Sequence, residues 1–141
     1  MKSKFTALIK IKEQKVEEVS IQLAEIRNAI VLKKNEIAAL NDSFFNIKEP
    51  KSGTVAYFAQ KQLLNVAHKQ EQNLLESQLN SLILKEEELV LNLKEEKLEF
   101  EKFNLLHKEE LRKQLKIIKE KEAAFMDEMG SVGFNQNRSV V

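Results

Sequence analysis

The sequence contains neither cysteine nor tryptophan, and it has only one proline and three glycines among 141 residues. The absence of cysteine excludes disulfide bridges and thiolate metal sites, and it is typical of a reducing compartment. So few glycines and prolines, with 32% charged residues, are typical of a protein built from long helices. Apolar runs extend over only a few residues, as at 29–32, whereas a membrane span needs about 20. We therefore predict a helical protein without a membrane span.

Charge of neither sign predominates, because the formal net charge is +1 at pH 7. A nucleic-acid surface would need a net basic face with interleaved aromatic residues, so we do not expect a nucleic-acid partner. The first residues are followed by an amphipathic segment rather than by the apolar core of a secretory signal. We therefore expect a cytoplasmic location.

An apolar residue recurs every three or four positions through residues 5–47. A stripe this narrow can only be buried against another helix, so the pattern predicts a coiled-coil seam. A coiled coil offers no cleft, and we therefore expect a mechanical or adhesive function. One heptad position is taken by Ile9, Val16, Leu23, Ile30, Ile37 and Phe44, and the other by Phe5, Val19, Ile26, Leu40 and Ile47.

The helix boundaries follow from capping residues and from the single proline. Helix one is predicted at about 4–48 with Ser3 as its N-cap, and the turn at 49–53 contains Pro50. Thr54 or Ser52 then caps helix two, predicted at about 54–129. Gly130 is expected to end it, and the polar tail 130–141 to be disordered. The predicted fold is all-α: one long antiparallel two-helix coiled-coil hairpin over residues 1–129, with an overhanging C-terminal helix.

The unequal helix lengths predict the overhang. A turn centred near Lys51 pairs residues whose numbers sum to about 102. This pairing places Leu23 opposite Leu79 and leaves helix two unpaired from about Lys102. Covering each apolar side chain there would stabilise by roughly 1.5–3 kcal/mol. We expect a partner protein or, alternatively, a second copy of the chain to cover this stripe. Its residues are Leu106, Leu111, Ile118 and Phe125, with Leu115, Ile117 and Met129 beside them.

Polar residues interrupt the seam at a few positions, where they are interpreted as fixing the register. Lys12 is expected to lie within reach of Glu86. Lys33 is expected to share a layer with His68 and Gln72.

The two histidines, His68 and His107, fall on or beside the seam, and after Phe103 the seam shifts to His107 and Leu111. Neither histidine has a second imidazole or a converging carboxylate pair. The chain also lacks a glycine-rich phosphate loop and a serine or threonine beside a base. We predict no catalytic residue, no cofactor and no metal site.

The hairpin tip carries more apolar side chains than one helix pair can bury. Phe44 and Tyr57 can pack between the helices, whereas Phe45 and Phe58 should point elsewhere. Exposed aromatic residues beside a loop indicate a contact surface, with packing around the turn as the alternative. The predicted binding tip consists of Leu40, Phe44, Phe45, Tyr57, Phe58 and Leu64.

The chain resembles the FliJ-type stalk proteins of bacterial flagellar type III export and their injectisome counterparts. The resemblance is carried by residues 5–13 (FTALIKIKE), 16–18 (VEE) and 22–27 (QLAEIR). The size, the Pro/Gly break near one third of the chain and the long second helix agree with it. In architecture the resemblance covers the whole chain.

This resemblance implies a non-enzymatic export component, cytoplasmic and peripheral at the inner membrane, that serves motility. It implies that the end bearing both termini inserts into the ring of the export ATPase. It further implies contact with the cytoplasmic domain of the export gate, which we assign to the tip, and escort of export chaperones. The surface assigned to the ATPase consists of Phe5, Leu8, Leu111, Leu115, Ile118 and Phe125.

Two other functions are compatible with a coiled coil. The first is a structural scaffold that forms homo-oligomers without an ATPase. The second is a holdase chaperone similar to prefoldin, which would need short β-strands beside the turn, and the predicted turn is too short to supply them.

Overall fold

The structure is a computed structural model that describes residues 2–45 and 54–140, with the backbone alone for 133–140. Two α-helices form the fold: α1 spans Thr6–Phe45 with 40 residues, and α2 spans Val55–Val140 with 86 residues. The described residues contain no strand. The two long helices pack against each other, which confirms the predicted all-α helical hairpin.

Both predicted N-caps are confirmed. The Phe5 N–H donates to Ser3 Oγ at 3.1 Å, and the Ser3 N–H donates to Thr6 Oγ1 at 3.0 Å. This reciprocal pair satisfies backbone donors that have no partner inside a helix. At α2 the Tyr57 N–H donates to Thr54 Oγ1 at 3.3 Å, so Thr54 is the cap. The predicted turn at 49–53, Ile47 and the predicted end of helix one near residue 48 lie outside the described residues.

The C-terminal end of α2 differs from the expectation. The helix continues through Gly130 to Val140, whereas the sequence predicted its end at Met129 and disorder over 130–141. No described residue has a positive φ, so Gly130 does not adopt the left-handed conformation that ends many helices. A glycine inside a helix costs about 1 kcal/mol relative to alanine, which a long helix tolerates.

The chain forms two compact units. The central unit is Val16–Glu95, and the terminal unit combines Met1–Lys15 with Glu96–Val141. In the central unit Val19, Leu23 and Leu89 form the buried core, against which Ile26 and Leu93 pack.

The seam predicted from the heptad pattern is confirmed position by position. Each of its described residues from Phe5 to Phe44 is buried or half-buried. On α2 the same holds for Leu75, Leu79, Leu82, Leu89, Leu93, Phe100 and Phe103. The shift after Phe103 is also visible, because His107 and Leu111 are half-buried.

The predicted register is wrong. In the central unit Phe44 faces His68, with ring centroids 4.0 Å apart, and the numbers of these two residues sum to 112 rather than 102. Leu23 accordingly packs in one cluster with Leu89 and not opposite Leu79. A coiled-coil seam repeats every seven residues, so several registers bury the same stripe, and a single proline in the sequence does not fix the pairing.

The polar partners inside the central unit change with the register. Lys33 Nζ donates to Gln78 Oε1 at 2.9 Å and to Glu36 Oε2 at 3.0 Å, so the expected layer with His68 and Gln72 is not formed. Glu86, expected near Lys12, lies 3.8 Å from Arg27 Nε.

Candidate functional site

The residues just before α1 are attached to α2 in the terminal unit. The ring of Phe5 lies 6.3 Å from that of Phe103, and Lys4 Nζ lies 5.3 Å from the Phe5 centroid. Ser3 Oγ is hydrogen-bonded to His107 Nδ1. These contacts make Phe5 a seam residue, and they mark the level at which α1 begins to face α2.

A charged cluster strengthens this attachment. Lys12 Nζ lies 2.8 Å from Glu99 Oε2 and 3.8 Å from Glu96 Oε2. The hydrogen bond to Glu99 raises the pKa of Lys12 and lowers the pKa of the Glu99 carboxyl. Glu96 Oε2 is buried, and Lys12 is its salt-bridge partner. The cluster favours one register over its neighbours, because a seven-residue shift would separate these charges.

Beyond this attachment α2 presents an apolar stripe that no described residue of the terminal unit covers. Leu111 is half-buried, and every residue from 115 to 132 is exposed. The overhang therefore begins near Leu115 and not near Lys102, because the register is shifted. We call the exposed stripe the unpaired face, and it consists of Leu115, Ile118, Phe125 and Met129.

All six residues predicted to bind an ATPase belong to the terminal unit, but they differ in exposure. Phe5 and Leu111 are half-buried, and Phe5 is already packed on α2. Leu8 is 40% exposed. The other three, Leu115, Ile118 and Phe125, belong to the unpaired face and are available to a partner.

The predicted tip surface belongs to the central unit. Since Phe44 faces His68, residues 55–66 of α2 lie beyond the level at which the described part of α1 ends. Phe45 is 82% exposed and Phe58 is 62% exposed, whereas Phe44 and Tyr57 are half-buried. The expectation that Phe45 and Phe58 point away from the seam is confirmed.

The remaining tip residues and their neighbours extend this surface. Leu40 is half-buried and Leu64 is exposed. Val55 and Leu63 are also exposed, and sequence reasoning missed both. Their position at the start of α2 was the only signal in the sequence that they could be exposed. That position becomes informative only when the register shows that this part of α2 extends beyond the described end of α1.

The described residues support neither a metal site nor a membrane span. No group of three or more histidine, aspartate or glutamate side chains there could hold a metal ion. None of the described helical segments combines the length and hydropathy that crossing a bilayer requires.

Comparison with protein families decides the identity of the chain. The family model described as "Flagellar FliJ protein" matches residues 1–139. The chain belongs to the FliJ family. This confirms the resemblance carried by its N-terminal segments, and it makes the protein a component of the flagellar export apparatus, whose FliJ component is structural and non-catalytic. Comparisons with curated proteins and with solved structures find no match.

Proposed function

We propose that this FliJ-family chain acts as a central stalk of the flagellar export apparatus. Its terminal unit inserts into the ring of the export ATPase, and the tip of its central unit contacts the cytoplasmic domain of the export gate. It acts at the cytoplasmic side of the inner membrane, and it escorts export chaperones. The observation that carries the proposal is the unpaired face, which continues a coiled-coil stripe where no described helix faces it.

The energetics of the unpaired face support a binding role. Leu115 and Ile118 are each 43% exposed and Phe125 is 60% exposed, although they continue the spacing of a buried seam. Covering such a side chain stabilises by roughly 1.5–3 kcal/mol. Contiguous apolar exposure of this kind is typical of a protein-binding surface. A ring that closes around one helix would cover all of these residues together.

The tip supports a second and separate contact. Phe45 and Phe58 are aromatic, largely exposed and lie in the central unit, whereas the unpaired face lies in the terminal unit. Aromatic side chains of this kind supply much of the binding energy at protein interfaces. Two surfaces in different units suit a protein that connects two partners.

The alternative function is a homo-oligomeric scaffold, in which a second copy of the chain covers the unpaired face. The scaffold function and the stalk function rest on the same exposed side chains, so binding measurements are needed to distinguish them. The family membership favours the stalk, because the family belongs to the export apparatus.

Purified components test the proposal directly. The wild-type chain should be retained by the immobilised export ATPase and, separately, by the cytoplasmic domain of the gate. Alone, its molar mass measured by light scattering should equal that of one 16.3 kDa chain. A stable homodimer that retains no ATPase would overturn the stalk and support the scaffold.

A further inference from the structure

A row of cationic side chains runs along one flank of the unpaired face. Its members are separated by four, four and three residues, and this spacing places them on one side of a helix. Leu115 follows Arg112 by three residues and precedes Lys119 by four, so the row borders the apolar stripe directly. All members are exposed. This basic row consists of Lys108, Arg112, Lys116 and Lys119.

The cations of the basic row are not paired with carboxylates among the described residues. In the parts of the chain that the structure describes, no salt bridge involves any of its four members. Lys12 and Lys33, by contrast, are both paired with carboxylates. Glu120 follows Lys116 by four residues and Glu122 follows Lys119 by three, but neither carboxylate forms a salt bridge with the row in the structure.

We infer that the surface which covers the unpaired face is an apolar groove bordered on one side by carboxylates. This inference rests on the proposed function, and it specifies the chemistry of the ATPase surface that receives the terminal unit. Four cations in a row beside an apolar stripe match such a border, because opposite charges at an interface set the orientation and speed the encounter. The acidic border lies on the side of Lys116 and Lys119, which fixes how the helix is rotated in the groove.

An anionic membrane fits this face less well. Glu122 follows Leu115 by seven residues and Ile118 by four, so its carboxylate lies within the apolar stripe. Burying a carboxylate among acyl chains is strongly unfavourable, whereas a protein groove can offer it a hydrogen-bond donor.

A second copy of the chain is the other possible cover for the unpaired face. Light scattering of the free chain tests it, because a stable dimer that retains no ATPase would overturn the acidic groove.

Two charge-reversal variants with the same change in net charge provide the test. Lys116→Glu with Lys119→Glu alters the basic row, whereas Lys113→Glu with Lys121→Glu alters two exposed lysines outside it. Binding of each full-length chain to the purified export ATPase is measured at several salt concentrations, and circular dichroism reports helicity. We expect the row variant to bind at least about tenfold more weakly at low salt, and the control to stay within about threefold of wild type. The wild-type affinity should fall more steeply with salt than that of the row variant.

The remaining outcomes distinguish the proposed stalk function from the proposed acidic border of the groove. If the wild type binds the ATPase and both variants bind equally, the acidic border is refuted while the stalk function stands. If the wild type does not bind the ATPase, both proposals fall. Sedimentation with phosphatidylglycerol vesicles that is lost only in the row variant would assign the row to lipid and overturn the acidic groove.

Discussion

The core of the central unit and the C-terminal part of α2 carry the same kind of apolar stripe and differ in what covers it. Val19, Leu23 and Leu89 are between 1% and 9% exposed, whereas Ile118 and Phe125 are 43% and 60% exposed. Heptad spacing therefore specifies which face of a helix is to be buried, and it does not specify by what. The first stripe is buried within the chain, and no described residue covers the second.

The largest expected effect is on stability, from truncation inside the buried stripe. Leu23→Ala should lower the free energy of unfolding by about 2–4 kcal/mol, because it leaves a cavity between two packed helices. The matched change Ile118→Ala should alter it by less than about 0.5 kcal/mol, since that side chain has no described partner to lose. Urea unfolding followed by circular dichroism measures both. Equal losses would mean that the two stripes are structurally equivalent, and the comparison would fail.

Truncation of the unpaired face should act on binding instead. Ile118→Ser with Phe125→Ser should weaken binding to the export ATPase by roughly 30-fold or more, as expected for two interface anchors of about 1–3 kcal/mol each. Titration calorimetry measures the affinity, and the helical content serves as the control. A variant that melts like Leu23→Ala and still binds the ATPase would show that this stripe is internal core.

The tip should respond independently of the unpaired face. Phe45→Ala with Phe58→Ala should weaken binding to the cytoplasmic domain of the gate by about tenfold and impair swimming, while ATPase binding and melting temperature stay near those of wild type. Normal swimming of the double variant would mean that these aromatic residues only pack around the turn. The gate contact would then have to lie elsewhere on the central unit.

The smallest effect concerns the charged cluster around Lys12. The lowered pKa of Glu99 means that its ionised form stabilises the fold above the usual glutamate pKa and that this stability is lost as pH falls through the folded-state pKa. The raised pKa of Lys12 means that its contribution is lost only as pH rises through its folded-state value. Glu99→Gln should therefore lower the melting temperature slightly at neutral pH and not at strongly acidic pH. An equal decrease at both would contradict an electrostatic origin.

The sequence was sufficient to predict two long helices and the seam residues on each, and insufficient for their register and for the C-terminal end of α2. Residues such as Leu23 and Ile30 could be assigned to the seam because periodicity is a local property of one helix. The register depends on pairs such as Phe5 with Phe103 and Lys12 with Glu99, which are distant in sequence. Those pairs become recognisable only when both helices are placed together.

The same limit applies to the candidate surfaces. That Ile118 and Phe125 lack an internal partner could be predicted from the unequal helix lengths, and the register error moved only the start of the overhang. The exposure of Val55 and Leu63 could not be predicted, because it depends on how far α2 extends past Phe45. Partner identity came from the family and not from the stripe, since many proteins could cover an apolar face.

Hydrogen–deuterium exchange of the wild-type chain tests the central claim most directly, because it needs no substitution or label. In the free chain, backbone amides of residues 115–129 should exchange faster than those of residues 82–93, since only the latter are packed in a seam. Addition of saturating export ATPase should slow exchange in residues 115–129 and leave residues 82–93 nearly unchanged. Exchange in residues 115–129 that the bound ATPase does not alter, or that slows with chain concentration alone, would contradict the account.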